Sequence, residues 1–384
     1  MNRQALLVGA LVCLGICQSL APVEVRAGTA ATVLAGEMTL TINSEVVDDG
    51  DLWVPLDQVT AITGFELKPQ GLCAGDTCIP LPADGSWIRE QDGAKLFCVT
   101  RFAKQTDQAF AFDAEHNVWS FTAVPQAATL PLLAGQAPDF ALTDRDGKTV
   151  RLSDFRGKKV LLWTWASWCG CRFDLKGWQE VYSDLHDKNF EIVACAQDTA
   201  GMEVAKPWYD KAGVTFTALV DPHHTVSSLY QMVNVPTGVW IDETGKIVRP
   251  GEVAYSKKDK VLGQTIGDDR YAAGVRDWVA NGASSQYVLS PESLRSQIAP
   301  RSADERLAEA HFRLGTHFLA QGDRDSASKH WQESQRLNPN SWNYHRQQWS
   351  FDKSSEMRNF LTKVRKLGDQ PYYAPVEFPA AKSP

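Results

Sequence analysis

The hydrophobic pattern changes character along the chain. An apolar run over residues 5–17 follows Arg3 and precedes Val25-Arg26-Ala27. It is too short to span a membrane but has the basic, apolar and small-residue parts of a secretory signal, which predicts a signal peptide over 1–27 with cleavage near Ala27. Strand-like alternation follows at 39–42. Two segments, 52–67 (LWVPLDQVTAITGFEL) and 96–112 (LFCVTRFAKQTDQAFAF), each read as strand, short helix, turn and strand. Residues 30–124 are therefore expected to form a small α+β domain with an internal duplication. The stretch 125–136, rich in Pro, Ala and Gly, has the composition of a linker.

From residue 137 the pattern alternates between buried strands and amphipathic helices. Residues 140–143 and 149–152 flank Asp144-Arg145-Asp146-Gly147 as a hairpin. Mostly apolar runs at 160–165, 190–195 and 216–220 have the length of strands covered on both faces. Helices are expected over 203–213 and 225–232, and a closing helix over 270–279. This order predicts an α/β unit over 137–282, a central sheet flanked by helices. A helical region over 303–352 follows, and the Pro- and Ala-rich end, 372–384, reads as a loose tail.

Charge narrows the function classes. With 39 Lys+Arg against 46 Asp+Glu, a net charge of -7 and no basic block, nucleic-acid binding has no electrostatic footprint, and no nucleic acid is expected as a partner. Cysteine usage points to an oxidising compartment: secreted, periplasmic or cell-envelope. Of eight cysteines, Cys13 and Cys17 would leave with the signal, and the bulky Ile16 argues against a lipid anchor at Cys17. No transmembrane segment is expected after signal removal. Cys73 and Cys78 flank a Gly-Asp turn and predict a structural disulfide closing a hairpin; a second redox pair relaying electrons is the alternative. Cys98 and Cys195, on predicted strands, read as buried inert thiols.

The chemistry sits at one joint. Cys169 and Cys171 fall between the apolar run 160–165 and the amphipathic pattern after Arg172. At a helix N-terminus the positive end of the macrodipole and unpaired N–H groups favour a thiolate. Two residues apart, the Cα atoms can lie within the roughly 4.4–6.8 Å span of a disulfide. The tight loop predicts a strained bond and a couple more oxidising than about −270 mV.

The segment Trp165-Ala166-Ser167-Trp168-Cys169-Gly170-Cys171-Arg172 resembles the active site of the thioredoxin superfamily, in particular its secreted TlpA- and ResA-like branch, with one residue fewer between the cysteines. The resemblance implies a thioredoxin-like fold and a thiol-disulfide oxidoreductase in which Cys169 attacks and Cys171 resolves. It implies substrate contacts from Trp168, Gly170, Val235 and Pro236, with Pro236 cis. Asp174, three residues past the second cysteine, stands where the branch carries a proton-moving carboxylate; a first-turn acid facing the helix dipole is the other reading. Two departures stand out: Trp163 replaces the buried acid of cytoplasmic thioredoxins, and Lys176-Gly177 replaces the helix proline. Expected partners are protein thiols and disulfides and an unidentified electron donor, with neither cofactor nor metal.

Two other functions compete. Ala137-Pro138-Asp139-Phe140 resembles the start of the AhpC/TSA redoxins, which include peroxidases, yet Leu162 and Ala166 stand where those enzymes have a proline and a hydroxyl-bearing threonine. Two sulfurs with His223 or His224 would suit a copper-binding or scaffold protein. Finally, Leu314-Gly315, Phe318, Gly322-Asp323, Ala327, Trp331 and Pro339 fall at the offsets of one tetratricopeptide repeat. A lone repeat cannot bury its own apolar face, so it should dock on the α/β unit, on the aromatic segment 342–351 or on a protein partner.

Overall fold

The computed structural model describes residues 30–42, 47–48, 50–75, 77–91, 93–125, 131–261 and 264–379. The expected signal peptide, with Cys13 and Cys17, lies outside the described residues, as does the end of the tail. Among the described residues no helix is long and apolar enough to cross a membrane.

In the N-terminal domain the first strands of the two similar segments, Asp51–Pro55 and Ala94–Cys98, pair antiparallel, with Trp53 opposite Cys98. Each runs into a short helix, Val59–Thr63 or Val99–Gln105. Their last strands part company. Glu66–Lys68 joins a small sheet with Gly71–Ala74 and Thr77–Ile79, whereas Phe110–Asp113 joins Val118–Phe121, Ala31–Ala35 and Met38–Ile42. Cys73 and Cys78 face each other across the hairpin and are bonded as a disulfide.

The α/β unit holds seven strands: β1 (Ala141–Asp144), β2 (Thr149–Arg151), β3 (Lys159–Trp165), β4 (Phe190–Ala196), β5 (Thr217–Val220), β6 (Thr237–Ile241) and β7 (Ile247–Val253), in the order β2-β1-β5-β4-β3-β6-β7. Central β3 runs parallel to β4 and antiparallel to β6. Because strand side chains alternate, Leu161, Trp163 and Trp165 enter one core with Trp178 and Trp240, while Val160 and Leu162 enter the opposite one. Helices α1 (Leu175–Leu185), α2 (Met202–Ala212), α3 (Thr225–Leu229) and α4 (Asp269–Asn281) cover the two faces. The end of the expected linker belongs to this unit: Leu132 is buried in the second core, and Gly135 O accepts from the Ile247 N–H at 2.7 Å.

After a short helix, Pro291–Ser296, come the longer helices α5 (Ala303–Ala320), α6 (Arg324–Leu337), α7 (Trp342–Trp349) and α8 (Glu356–Arg365). Ser302 and Glu305 form a capping box on α5. Gly315 lets α6 approach, since a Cβ there would lie 2.4 Å from the Trp331 ring. The apolar face of this hairpin is covered within the chain: Phe312, Phe318 and Trp331 share a core with Leu34, Ala111 and Val118 of the N-terminal domain. The aromatic segment 342–351, one of the docking surfaces expected from the sequence, also packs there, Tyr344 stacking on Phe312 and Phe351 on Trp331, whereas the N-terminal domain was not among those expected. The tail also differs from expectation. Residues 372–378 are not loose but packed on the α/β unit, where Phe378 lies against Tyr271 and Tyr287, and Glu377 O accepts from Arg249.

Candidate functional site

Strand β3 ends at Trp165, and the chain turns there, Cys169 N–H donating to Ala166 O at 3.0 Å. Cys169 then caps a 3₁₀ turn, Gly170–Asp174, that leads into α1. With one residue between the cysteines, this tight turn aims the Cys171 N–H at the Cys169 sulfur, 3.3 Å away. Both thiols are free. Across from them the Val235–Pro236 peptide is cis, and Val235 O lies 3.6 Å from Cys169 Sγ. The structure thus brings together Trp168, Cys169, Gly170, Cys171, Val235 and Pro236.

Asp174 is bound by a serine. Its carboxylate accepts from the Ser256 N–H at 2.7 Å and from the Ser256 hydroxyl, tying the start of α1 to the loop after β7. Gly177 permits this approach, since a Cβ there would sit 2.0 Å from Ser256 Oγ. The Lys176-Gly177 departure therefore has a steric reason in this chain.

Trp168, from which a substrate contact is expected, lies under other parts of the chain. Trp168 is 5% exposed and Cys169 1% exposed, because the C-terminal helices and tail cover them. Trp168 Nε1 donates to Gln347 Oε1 on α7 at 3.0 Å and to Gln197 O at 3.1 Å. Arg346 donates to Trp168 O and to the Tyr372 hydroxyl, its guanidinium 4.9 Å from the Trp168 ring centroid. The Tyr373 hydroxyl donates to Val235 O at 3.0 Å.

These neighbours divide the roles of the two sulfurs. Burial acts to raise the Cys169 pKa, but the hydrogen bond from Cys171, the charge of Arg346 and the Cys171 N–H outweigh it, lowering it to about 6. For Cys171, burial and then the adjacent Cys169 push the pKa well up. One sulfur is ready as a thiolate and the other keeps its proton. Cys195 is held protonated by burial and then by Asp221, and burial likewise raises Cys98.

Three participants escaped the sequence reading. Arg346 and Tyr373 lie far along the chain, in a helix and a tail that carry no motif for this site. Asp198 follows β4 next to the active-site turn, a placement that could have flagged it. It accepts from the Ser167 N–H at 2.8 Å and the Ser167 hydroxyl at 2.6 Å. Burial raises its pKa to about 6, against the opposing Ser167 hydrogen bonds.

The residues of the competing functions point elsewhere. Ala166 is fully buried, and the one hydroxyl in the turn, that of Ser167, is committed to Asp198. His224 is buried against Gln347 and Phe312, and His223 faces Glu37.

Comparison with known proteins bears on residues 133–250, which match the family model described as "AhpC/TSA family". Thiol-disulfide oxidoreductase ResA of Bacillus thuringiensis subsp. konkukian is 31% identical over 115 residues, 30% of this chain and 66% of the relative. The chain thus spans slightly under two thirds of that relative's length. For ResA of Geobacillus kaustophilus the identity is 33% over 132 residues, 34% of this chain and 75% of the relative. Among solved structures, a thiol:disulfide interchange protein assigned as DsbE from Chlorobium tepidum shows 34% identity at a TM-score of 0.29, covering 31% of this chain and 84% of the other. The helices and tail that carry Arg346 and Tyr373 lie beyond the residues matched by the family model.

Proposed function

Because this chain belongs to the ResA family of thiol-disulfide oxidoreductases, whose fold is thioredoxin-like, we propose that it exchanges electron pairs with thiols and disulfides through Cys169 and Cys171. The observation that carries this reading is the Cys169 sulfur itself. It receives the Cys171 N–H, feels the charge of Arg346 and faces Val235 O beside a cis-proline.

In the reducing direction the Cys169 thiolate attacks one sulfur of a disulfide, and the other sulfur leaves as a thiolate. Cys171 then gives up its proton and attacks Cys169, closing the Cys169–Cys171 bond and releasing the second thiol. Trp168, Gly170, Val235 and Pro236 surround the point of attack. Asp198, with a pKa raised to about 6, is better placed in acidity than a fully ionised acid to take up and return a proton near pH 7. Asp174, bound by Ser256, positions the start of α1. A thiolate held at low pKa stabilises the reduced form, which again favours a couple more oxidising than about −270 mV.

The compartment proposed is extracytoplasmic, supported by the Cys73–Cys78 disulfide. Substrates are molecules whose thiol or disulfide can reach a covered sulfur, cysteines on protein segments being one class, with a separate electron donor restoring the dithiol. The α5–α6 hairpin keeps its likeness to a tetratricopeptide repeat, but its apolar face is used inside the chain, which argues against that face as a partner site.

The test is a Cys171→Ser variant exposed to disulfides, with adducts mapped by mass spectrometry. Mixed disulfides on Cys169, absent from Cys169→Ser, are expected. Adducts confined to residues outside the pair would overturn the reading.

A further inference from the structure

Beside Cys169 lies a cavity of about 780 Å³. Trp208 of α2, Ile266, and Met357, Phe360 and Leu361 of α8 form apolar walls, and Arg346 lines it together with the cysteine. The volume falls within the roughly 300–1,000 Å³ typical of small-molecule sites. A folded protein needs a different surface, about 800 Å² of complementary area on each partner. Here α7, α8 and the tail stand where such a surface would have to be, and they leave the Cys169 sulfur almost wholly covered. Even the Val235 carbonyl, the backbone acceptor next to the sulfur, is taken by Tyr373.

Resting on the exchange activity proposed above, we infer that this cavity binds a low-molecular-weight disulfide with an apolar body, in preference to the disulfide of a folded protein. The ligand's hydrocarbon or aromatic part lies against Trp208, Phe360 and Leu361, and its sulfur meets Cys169. The Cys169 thiolate breaks the ligand's S–S bond and forms a mixed disulfide, and the first small thiolate leaves and takes a proton from solvent. Cys171, losing its proton, attacks Cys169 and expels the second small thiol. The protein dithiol loses two electrons, and the ligand disulfide gains them.

The experiment compares the fully reduced full-length protein with 4,4′-dithiodipyridine and with insulin, each rate divided by that of dithiothreitol on the same substrate. The normalised rate for the small aromatic disulfide should exceed that for insulin by about tenfold or more. Leu361→Trp and, separately, Met357→Trp narrow the cavity and should each lower the small-disulfide rate by about tenfold. Retained ultraviolet absorbance of the Cys169 thiolate serves as the check that each variant has folded. An equal or faster normalised rate with insulin, or folded variants that both stay within about twofold of the parent, would overturn the inference while leaving the exchange activity standing. If neither substrate oxidises Cys169 and Cys171 to a disulfide, the activity itself falls, and the inference with it.

Discussion

Arg346 donates to the carbonyl oxygen of Trp168 at 3.1 Å and lays its guanidinium over the same residue's ring. Through this pair a C-terminal helix places a fixed positive charge beside the attacking sulfur of the α/β unit. The charge works strongly because little water is present to screen it.

Replacing Arg346 by Met keeps the packing on Trp168 and Phe360 and removes the charge. The Cys169 pKa is expected to climb from about 6 toward the ordinary thiol value of 9.0. Alkylation of the parent should rise with pH through about 6 and then level off. For Arg346→Met the rise should come at higher pH, with a rate near neutrality lower by about tenfold. Arg346→Lys should fall between the two. Superimposable pH profiles would remove Arg346 from the mechanism.

A helix-favouring substitution should fail at Gly177. In an unconstrained helix, Gly→Ala gains about 1 kcal/mol. Here the new Cβ meets Ser256 Oγ at 2.0 Å and Asp174 Oδ1 at 3.2 Å, and the Ser256 loop is pinned by that same carboxylate. Overpacking therefore wins, and Gly177→Ala should destabilise the protein by about 1–3 kcal/mol in denaturant unfolding. A Ser256→Gly background should relieve most of that loss.

Acid should loosen the attachment of the C-terminal helices through His224. Burial lowers its pKa to about 3 from an ordinary 6.5, outweighing the hydrogen bond to Gln347. The fold therefore prefers the neutral ring. Its contribution is complete above pH 6.5 and declines as pH falls toward 3, by about 1.4 kcal/mol per pH unit. Unfolding measured between pH 7 and about 4 should show a shallower decline for His224→Gln than for the parent. Equal slopes would count against this assignment.

The Tyr373 hydroxyl is the tail's hydrogen bond to the cis-proline loop. Tyr373→Phe keeps the ring contact with Tyr255 and leaves Val235 O without that donor, at a cost of about 1 kcal/mol in stability. It should also free the carbonyl for an extended polypeptide, so insulin reduction should rise by about threefold. An unchanged or lower rate would show that the tail does not restrict access.

Much of the α/β unit was legible before any coordinates. The run 160–165 is apolar at every position but Thr164 because β3 has a core on each face, and a central strand needs that. The cysteines at its end, the hairpin at 144–147 and Val235-Pro236 ahead of β6 are local signals, and local signals survive in a linear chain. The strand and short helix in each of the segments 52–67 and 96–112 were visible for the same reason, whereas the separate sheets joined by their last strands were not.

What the sequence by itself determined is which side chains are apolar, where the strands and helices run, and that two sulfurs stand at a turn suited to a thiolate. Tertiary structure alone decided that Arg346 charges the site, that Tyr373 covers it and that Ser256 holds the Asp174 carboxylate. Periodicity reports that a residue has a buried face but not what it is buried against. Those partners are selected by packing between segments far apart in the chain, where shape and the pairing of buried polar groups, rather than neighbouring residues, set the free energy.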